Sequence, residues 1–155
     1  LALEEAGNPV SVLTKSPLVL SDLEIFRRMN EKVKVQVNLS VPTLDEKAWR
    51  ATEPHSPSPR ARLDAVAELS RRGVERFLFT PIEVDGTMEG PNIPELVRVA
   101  AATEASVIAS GGVGDIGHLV ALAEQAPANV EGVIVGKALF EGRFTIPEAI
   151  GALSR

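Results

Sequence analysis

Five apolar runs recur along the chain, each followed by a loop and then by a segment that reads as a capped helix. The runs are Pro9–Thr14, Val33–Val41, Phe77–Thr80, Val107–Ala109 and Val133–Val135. Most are built on Val and Ile, whose branching at Cβ suits extended backbone. Val33–Val41 alternates apolar and polar residues, which predicts a strand with one polar face. Ser21–Glu24 and Thr43–Glu46 have the spacing of capping boxes, in which a hydroxyl and a carboxylate satisfy free amides at a helix start. Ser58 before Pro59 reads as a cap followed by a residue that needs no amide donor. Asn92, Asp115 and Thr145 begin three more helices, and Gly73 closes the one that starts at Pro59. Strands alternating with helices predict a parallel sheet with right-handed crossovers. The expected fold is α/β, a partial, half TIM-type β/α barrel of about five parallel strands.

Leu1–Ala6 reads as the last turns of a helix capped by Gly7, so the chain is expected to be a segment of something longer. Its 155 residues suit a single domain, 1–155. A closed eight-stranded barrel takes roughly 200–250 residues. The outer strands, Val10–Thr14 and Val133–Val135, then have open edges, which predicts a homo-oligomer or a complementary half-barrel as partner.

Composition removes several classes of function. There is no Cys, which excludes disulfides, thiolate catalysis and Cys-held zinc or iron–sulfur centres. The net charge is −5 with no basic run, which points away from nucleic acid. No apolar run reaches the ~18 residues of a membrane span and no signal peptide is visible, so cytosol is the expected location and no membrane partner is expected. His55 and His118 read as solvated, and no spacing suits a metal. Lys15 reads as an exposed loop residue. Arg50 and Glu53 read as pinning the proline-rich loop Glu53–Pro59.

Parallel α/β folds bind ligands at the C-terminal ends of their strands. Two glycine-bearing turns stand there: Ser110-Gly111-Gly112 after the fourth run and Gly136-Lys137 after the fifth. Glycine lets backbone amides approach an anion, and amides at a helix start favour phosphate. Two such turns on neighbouring strands predict a shared phosphate cradle made by Gly111, Gly112, Gly136 and Lys137. Thr80 is expected to point inward at the end of the third run. Asp85, in the loop that follows, could move a proton or hold a sugar hydroxyl. Asp85-Gly86 is equally a turn signal, so the two readings stand side by side.

The stretches Gly73–Thr80, Asp85–Asn92, Val107–Val113 and Val130–Leu139 together resemble the histidine-biosynthesis phosphoribosyl isomerase family. The likeness runs from about Gly73 to Arg155 and corresponds to strands six to eight of that family's barrel. It implies an aldose–ketose (Amadori) isomerisation of the ProFAR aminoaldose, with an acid to open the ribose ring and a base to move the C2 proton. It also implies that Thr80 and Asp85 are active-site residues and that Gly111, Gly112, Gly136 and Lys137 hold a substrate phosphate. The partner would be a phosphosugar or inorganic phosphate, with no cofactor. The family's two principal catalytic aspartates lie on strands one and five, which have no counterpart here. The expected product is therefore an isomerase fragment, catalytically incomplete alone. The alternative is a non-catalytic recombined scaffold that binds phosphate weakly at most.

The first half, through Pro9–Leu20, Thr43–Pro54 and Pro59–Leu63, resembles radical S-adenosylmethionine proteins of the spore-photoproduct-lyase type. That likeness would set Lys15 and Ser40 towards a cofactor, but without Cys this chain cannot hold the cluster. The two resemblances meet near Gly73, so residues 1–73 and 74–155 read as segments of a chimera.

Overall fold

Helices and parallel strands alternate along residues 2–154, the part of the chain that the computed structural model describes. The order is α1 (Ala2–Ala6), β1 (Val10–Thr14), a 3-10 helix (Pro17–Asp22), α2 (Leu23–Asn30), β2 (Val35–Leu39), α3 (Glu46–Thr52), α4 (Pro59–Arg71), β3 (Arg76–Phe79), α5 (Ile93–Ala101), β4 (Ser106–Ser110), α6 (Ile116–Gln125), β5 (Val130–Ile134), α7 (Lys137–Phe140) and α8 (Ile146–Leu153). This is the expected α/β alternation, and the sheets are not closed. Leu1, the first residue of the expected helix tail, lies outside the described residues.

The five strands form two sheets rather than one. β1 pairs with β2 in parallel, and β3, β4 and β5 form a second parallel sheet in that order. No ladder joins β2 to β3, so each has a free edge in addition to the outer edges of β1 and β5. A cleft of about 360 Å³ lies between them, lined by Ser11, Leu13, Asn38, Ser40, Phe77 and Thr80 among others. One hydrophobic core nevertheless runs beneath both sheets, from Leu23, Leu39 and Leu44 through Val66 and Leu69 to Phe77, Phe79, Leu96, Val107 and Leu119. Packing of helices, not strand pairing, joins the halves.

The strands bury one face and leave the other bare. Phe77 and Phe79 point into the core, whereas Arg76 and Leu78 are exposed. Leu13 on β1 and Ile134 on β5 are also exposed. In the register β1 Leu13 stands opposite Asn38, and Ser110 opposite Ile134. The bare face is thus a mixed apolar and polar surface.

Several caps are where the spacing places them. Ser58 accepts the Ala61 amide, Asn92 that of Glu95 and Asp115 that of His118. Thr145 and Glu148 complete a reciprocal capping box. Two expected boxes differ. Ser21 donates its hydroxyl to the Leu18 carbonyl inside the 3-10 helix, and α2 starts after Asp22 without a side-chain cap. In the second, Asp45 takes the capping role on the Ala48 amide, while Thr43 accepts from Asp45 one turn earlier. A carboxylate closer to the helix outcompetes the hydroxyl for the free amides.

Glu53 pins the proline-rich loop as expected, but with Arg62 rather than Arg50. Arg62, 1% exposed, donates to Glu53 Oε2 at 2.7 Å and to Ser56 Oγ at 2.6 Å. Lys15 also bonds Glu53, and the Trp49 indole donates to Ser56. Arg50 instead faces Glu46 across one helical turn, 3.7 Å away. The guanidinium of Arg62, then the ammonium of Lys15, hold the Glu53 carboxyl down at about 2.

Candidate functional site

Asp85, Gly111, Gly112, Gly136 and Lys137 line one cleft of about 250 Å³ at the C-terminal ends of β3, β4 and β5. Met88, Ser110, Val113 and Ile134 complete much of its wall. The two glycine-bearing turns therefore do face the same space, because β4 and β5 are hydrogen-bonded neighbours. Thr80 is not in this cleft. It follows β3 but lines the cavity between the two sheets, near Asn38 and Ser40.

The turn after β4 is shaped by left-handed backbone. Gly111 and Gly112 have φ of +91° and +82°. A Cβ on Gly112 would collide with the Gly90 carbonyl oxygen and lie 2.9 Å from Pro91 Cα. A Cβ on Gly111 would sit 3.4 Å from Asp85 Cα. Glycine is a conformational requirement at both positions and a packing requirement at Gly112. The loop after β3 lies directly on this turn: the Gly90 amide donates to the Gly112 carbonyl at 2.8 Å. Met88 in that loop has φ of +63°, the one non-glycine residue among those described with positive φ. Strain of this kind concentrates in functional loops.

Gly136 differs. It precedes α7 with φ of −111°, and nothing lies within 4 Å of where a Cβ would be. No neighbouring atom of the chain fills the place of a Cβ there, which leaves the approach to the Gly136 amide open. Lys137 is exposed, and its ammonium donates to the Gly86 carbonyl at 2.8 Å. That bond ties the first turn of α7 to the Asp85 loop across the mouth of the cleft. Asp85 itself is exposed within a run of turns from Ile82 to Thr87. The Thr87 amide and hydroxyl both bond the Val84 carbonyl and stiffen that run.

Three residues that sequence reasoning leaves as surface or helix face turn out to organise the region. His118 is half-buried, with its ring over Gly90 and its Nδ1 accepting the Gly114 amide at 3.0 Å. Glu95 is buried on α5 and accepts the Leu44 amide at 2.9 Å, joining the second sheet's helix layer to the loop after β2. Burial pushes the Glu95 carboxyl above its ordinary range against the opposing effect of that amide, with Glu83 adding to the rise. Ile82, in turn, donates to the Pro42 carbonyl at 2.7 Å and anchors the Asp85 loop to the first half. The Asn92–Glu95 spacing marks a helix start, but the Glu95 carboxylate serves an amide 51 residues away, which local spacing does not signal.

Among the described residues no group of three His, Asp or Glu is placed to hold a metal ion. No helix among them is long and apolar enough to cross a membrane.

Comparison with known proteins gives the site its context. The family described as "Histidine biosynthesis protein" matches residues 7–145, which includes most of the first half as well as the second. The chain is 53% identical over 90 residues to the 1-(5-phosphoribosyl)-5-((5-phosphoribosylamino)methylideneamino) imidazole-4-carboxamide isomerase of Nocardia farcinica, covering 58% of this chain and 37% of the relative. It is 48% identical over 91 residues to Phosphoribosyl isomerase A of Mycobacteroides abscessus, covering 59% of this chain and 37% of the relative. The likeness to the isomerase of the first name in Bacillus pumilus is longer and lower: 36% identity over 132 residues, 85% of this chain and 52% of the relative. The chain thus spans about a third to a half of the length of these curated relatives. A match over residues 7–145 covers far more than half of the chain, and on that ground the protein belongs to the histidine biosynthesis protein family.

Proposed function

We propose that this stretch of chain is the phosphate-gripping part of a phosphoribosyl isomerase that performs an Amadori aldose–ketose rearrangement in histidine biosynthesis. The observation that carries this reading is the convergence of Asp85, Gly111, Gly112, Gly136 and Lys137 on one cleft. In it the amides after β4 and β5 hold the phosphate of a phosphosugar, and Lys137 adds a positive charge at the rim. Asp85 faces the sugar end, where a carboxylate can accept a hydroxyl or carry a proton. Thr80 serves the same reaction from the adjoining cavity. The reading includes no cofactor and a cytoplasmic setting. By itself this stretch is expected to bind and not to turn over, because the free edges of β2 and β3 leave its barrel open.

A second reading has its own support. Thr80 lies apart from Asp85, and the Lys137 ammonium is already occupied by the Gly86 carbonyl. Both favour a recombined β/α scaffold that binds phosphate weakly. The division of the strands into two sheets at β2 and β3 supports a junction between segments 1–73 and 74–155. The continuous family match across residues 7–145 favours a single origin for both.

Titration of the 15N-labelled chain with inorganic phosphate tests the binding claim. Shifts centred on the amides of Gly111, Gly112, Gly136 and Lys137 are expected, and their absence at millimolar phosphate sinks it. Complementation of a histidine auxotroph tests the rest: no growth is expected from this chain alone, and growth would show that it turns over unaided.

We also propose that the free edges are covered by another copy or by a complementary half-barrel. Four unpaired strand edges and exposed Leu13, Leu78 and Ile134 support this. Light scattering is expected to give a mass above the 16.5 kDa of one chain. A monomer at all concentrations would count against self-association.

A further inference from the structure

We infer that His118 is a positioning residue for the proposed anion cradle: its neutral ring clamps the turn after β4 against the loop after β3. This rests on the reading of that turn as the phosphate site.

Two hydrogen bonds hold the turn in place. Gly112 is fixed on one side by the Gly90 amide, which donates to its carbonyl at 2.8 Å. Two residues later the Gly114 amide donates to His118 Nδ1 at 3.0 Å. The same ring lies against Gly90, where a Cβ would sit 3.4 Å from Nε2. His118 therefore touches both loops at once. It is anchored in turn by α6, whose N-cap Asp115 accepts the His118 backbone amide at 3.0 Å. A Cβ on Gly114 would collide with the Met88 carbonyl, so the two loops approach as closely as backbone allows.

The bond sets the chemical state of the ring. To accept from Gly114, Nδ1 must carry a lone pair, so the ring is the neutral tautomer with its proton on Nε2. A second proton on the ring removes that acceptor. Nδ1 then faces Asp115 Oδ1, 3.9 Å away, as the nearest alternative partner. The charged side chains of the two elements packed against the ring are Asp115 and Glu124 at the start and end of α6, and Glu83, Asp85 and Glu89 on the facing loop. Acidification should release the Gly114 amide and loosen the turn that carries Gly111 and Gly112.

Sulfate is the probe, because its charge does not change across the pH range of interest. Its affinity is read from the Gly111 and Gly112 amide shifts of the whole chain between pH 8 and pH 5.5. The native chain is expected to bind sulfate more weakly as the pH falls. His118→Phe, which keeps a ring but removes the acceptor, should bind about fivefold to tenfold more weakly at pH 8, the order expected for one lost hydrogen bond, and show a flatter pH profile. His118→Asn places an amide oxygen near the position of Nδ1 and should restore binding without the acid loss. Equal sulfate affinity in the native chain and His118→Phe overturns the inference, as does tighter binding in acid, which would mean that ring charge attracts the anion directly. If the native chain shows no sulfate shifts at any pH, the phosphate reading is what fails. The clamp is then judged by exchange of the Gly114 amide, which should quicken in His118→Phe, and unchanged exchange overturns it.

Discussion

Gly112→Ala is expected to destabilise the protein by about 3–5 kcal/mol, the scale of a substitution that combines backbone strain with a steric clash. Two costs coincide at this position. With φ of +82°, Gly112 holds a conformation that L side chains rarely adopt. Its Cβ would also overlap the Gly90 carbonyl and lie 2.6 Å from the Gly90 carbonyl carbon. Those are backbone atoms, so no rotamer change relieves the clash. The loop after β3 would have to lift away, breaking the bond from the Gly90 amide to the Gly112 carbonyl. For a chain of this size the melting temperature should fall by about 10 °C. Gly136→Ala is the matched control. It has open space where a Cβ would stand, so it lacks the clash at Gly112 and should lose no more than about 1 kcal/mol. A methyl group there still stands where the proposed phosphate would approach. Calorimetry on the two variants, followed by phosphate titration of Gly136→Ala, separates folding from binding. A Gly112→Ala variant as stable as the parent would mean that the turn is looser than its contacts indicate.

The contrast between these glycines shows how far sequence reasoning reaches. Gly111, Gly112, Gly136 and Lys137 are recognisable as neighbours because parallel strands put successive turns at one end of a sheet, and β4 and β5 are adjacent in both sequence order and space. Thr80 is harder to place. The expectation that it joins Asp85 depends on one continuous sheet, whereas the free edges of β2 and β3 open a separate cavity beside it. Periodicity reports which face of a strand is apolar but says nothing about whether its edge is paired. The buried polar residues show the same limit. Arg62 shares a helix face with Ala65, Val66 and Leu69, so its spacing is that of a core residue. Only its charge argues for the surface, and the partner that resolves the conflict, Glu53, lies on a different element. His118 presents a similar case. Its position after Asp115 is legible as the first turn of a helix, but the loop that it clamps is held by tertiary contacts alone.

Removing the partner of a buried charge should produce the other large effect. Arg62→Ala is expected to cost about 3–5 kcal/mol, the range for breaking a buried ion pair by deleting one member. The guanidinium is 1% exposed and holds Glu53 and Ser56, and through them the Trp49 indole. Its loss leaves the Glu53 carboxylate, 18% exposed, with Lys15 as its remaining cation. The pair also makes stability depend on pH. Glu53 ionises at about 2 in the folded chain against 4.5 for a free glutamate, so its contribution is present above pH 4.5 and is lost as the pH falls towards 2. A shift of that size corresponds to about 3 kcal/mol, reduced to on the order of 2 kcal/mol by solvent screening on the Lys15 side. Urea unfolding at pH 7, 4 and 2.5 should show a decline in the parent that is much shallower in Arg62→Ala. The double variant Arg62→Met with Glu53→Gln tests the cause. It removes both charges and keeps most of the volume, so it should recover much of the stability at pH 7 and lose the acid dependence arising from this pair. If Arg62→Ala unfolds with the same midpoint and pH slope as the parent, the proline-rich loop is not held by this bridge, and apolar packing of Pro59 and Trp49 must hold it instead.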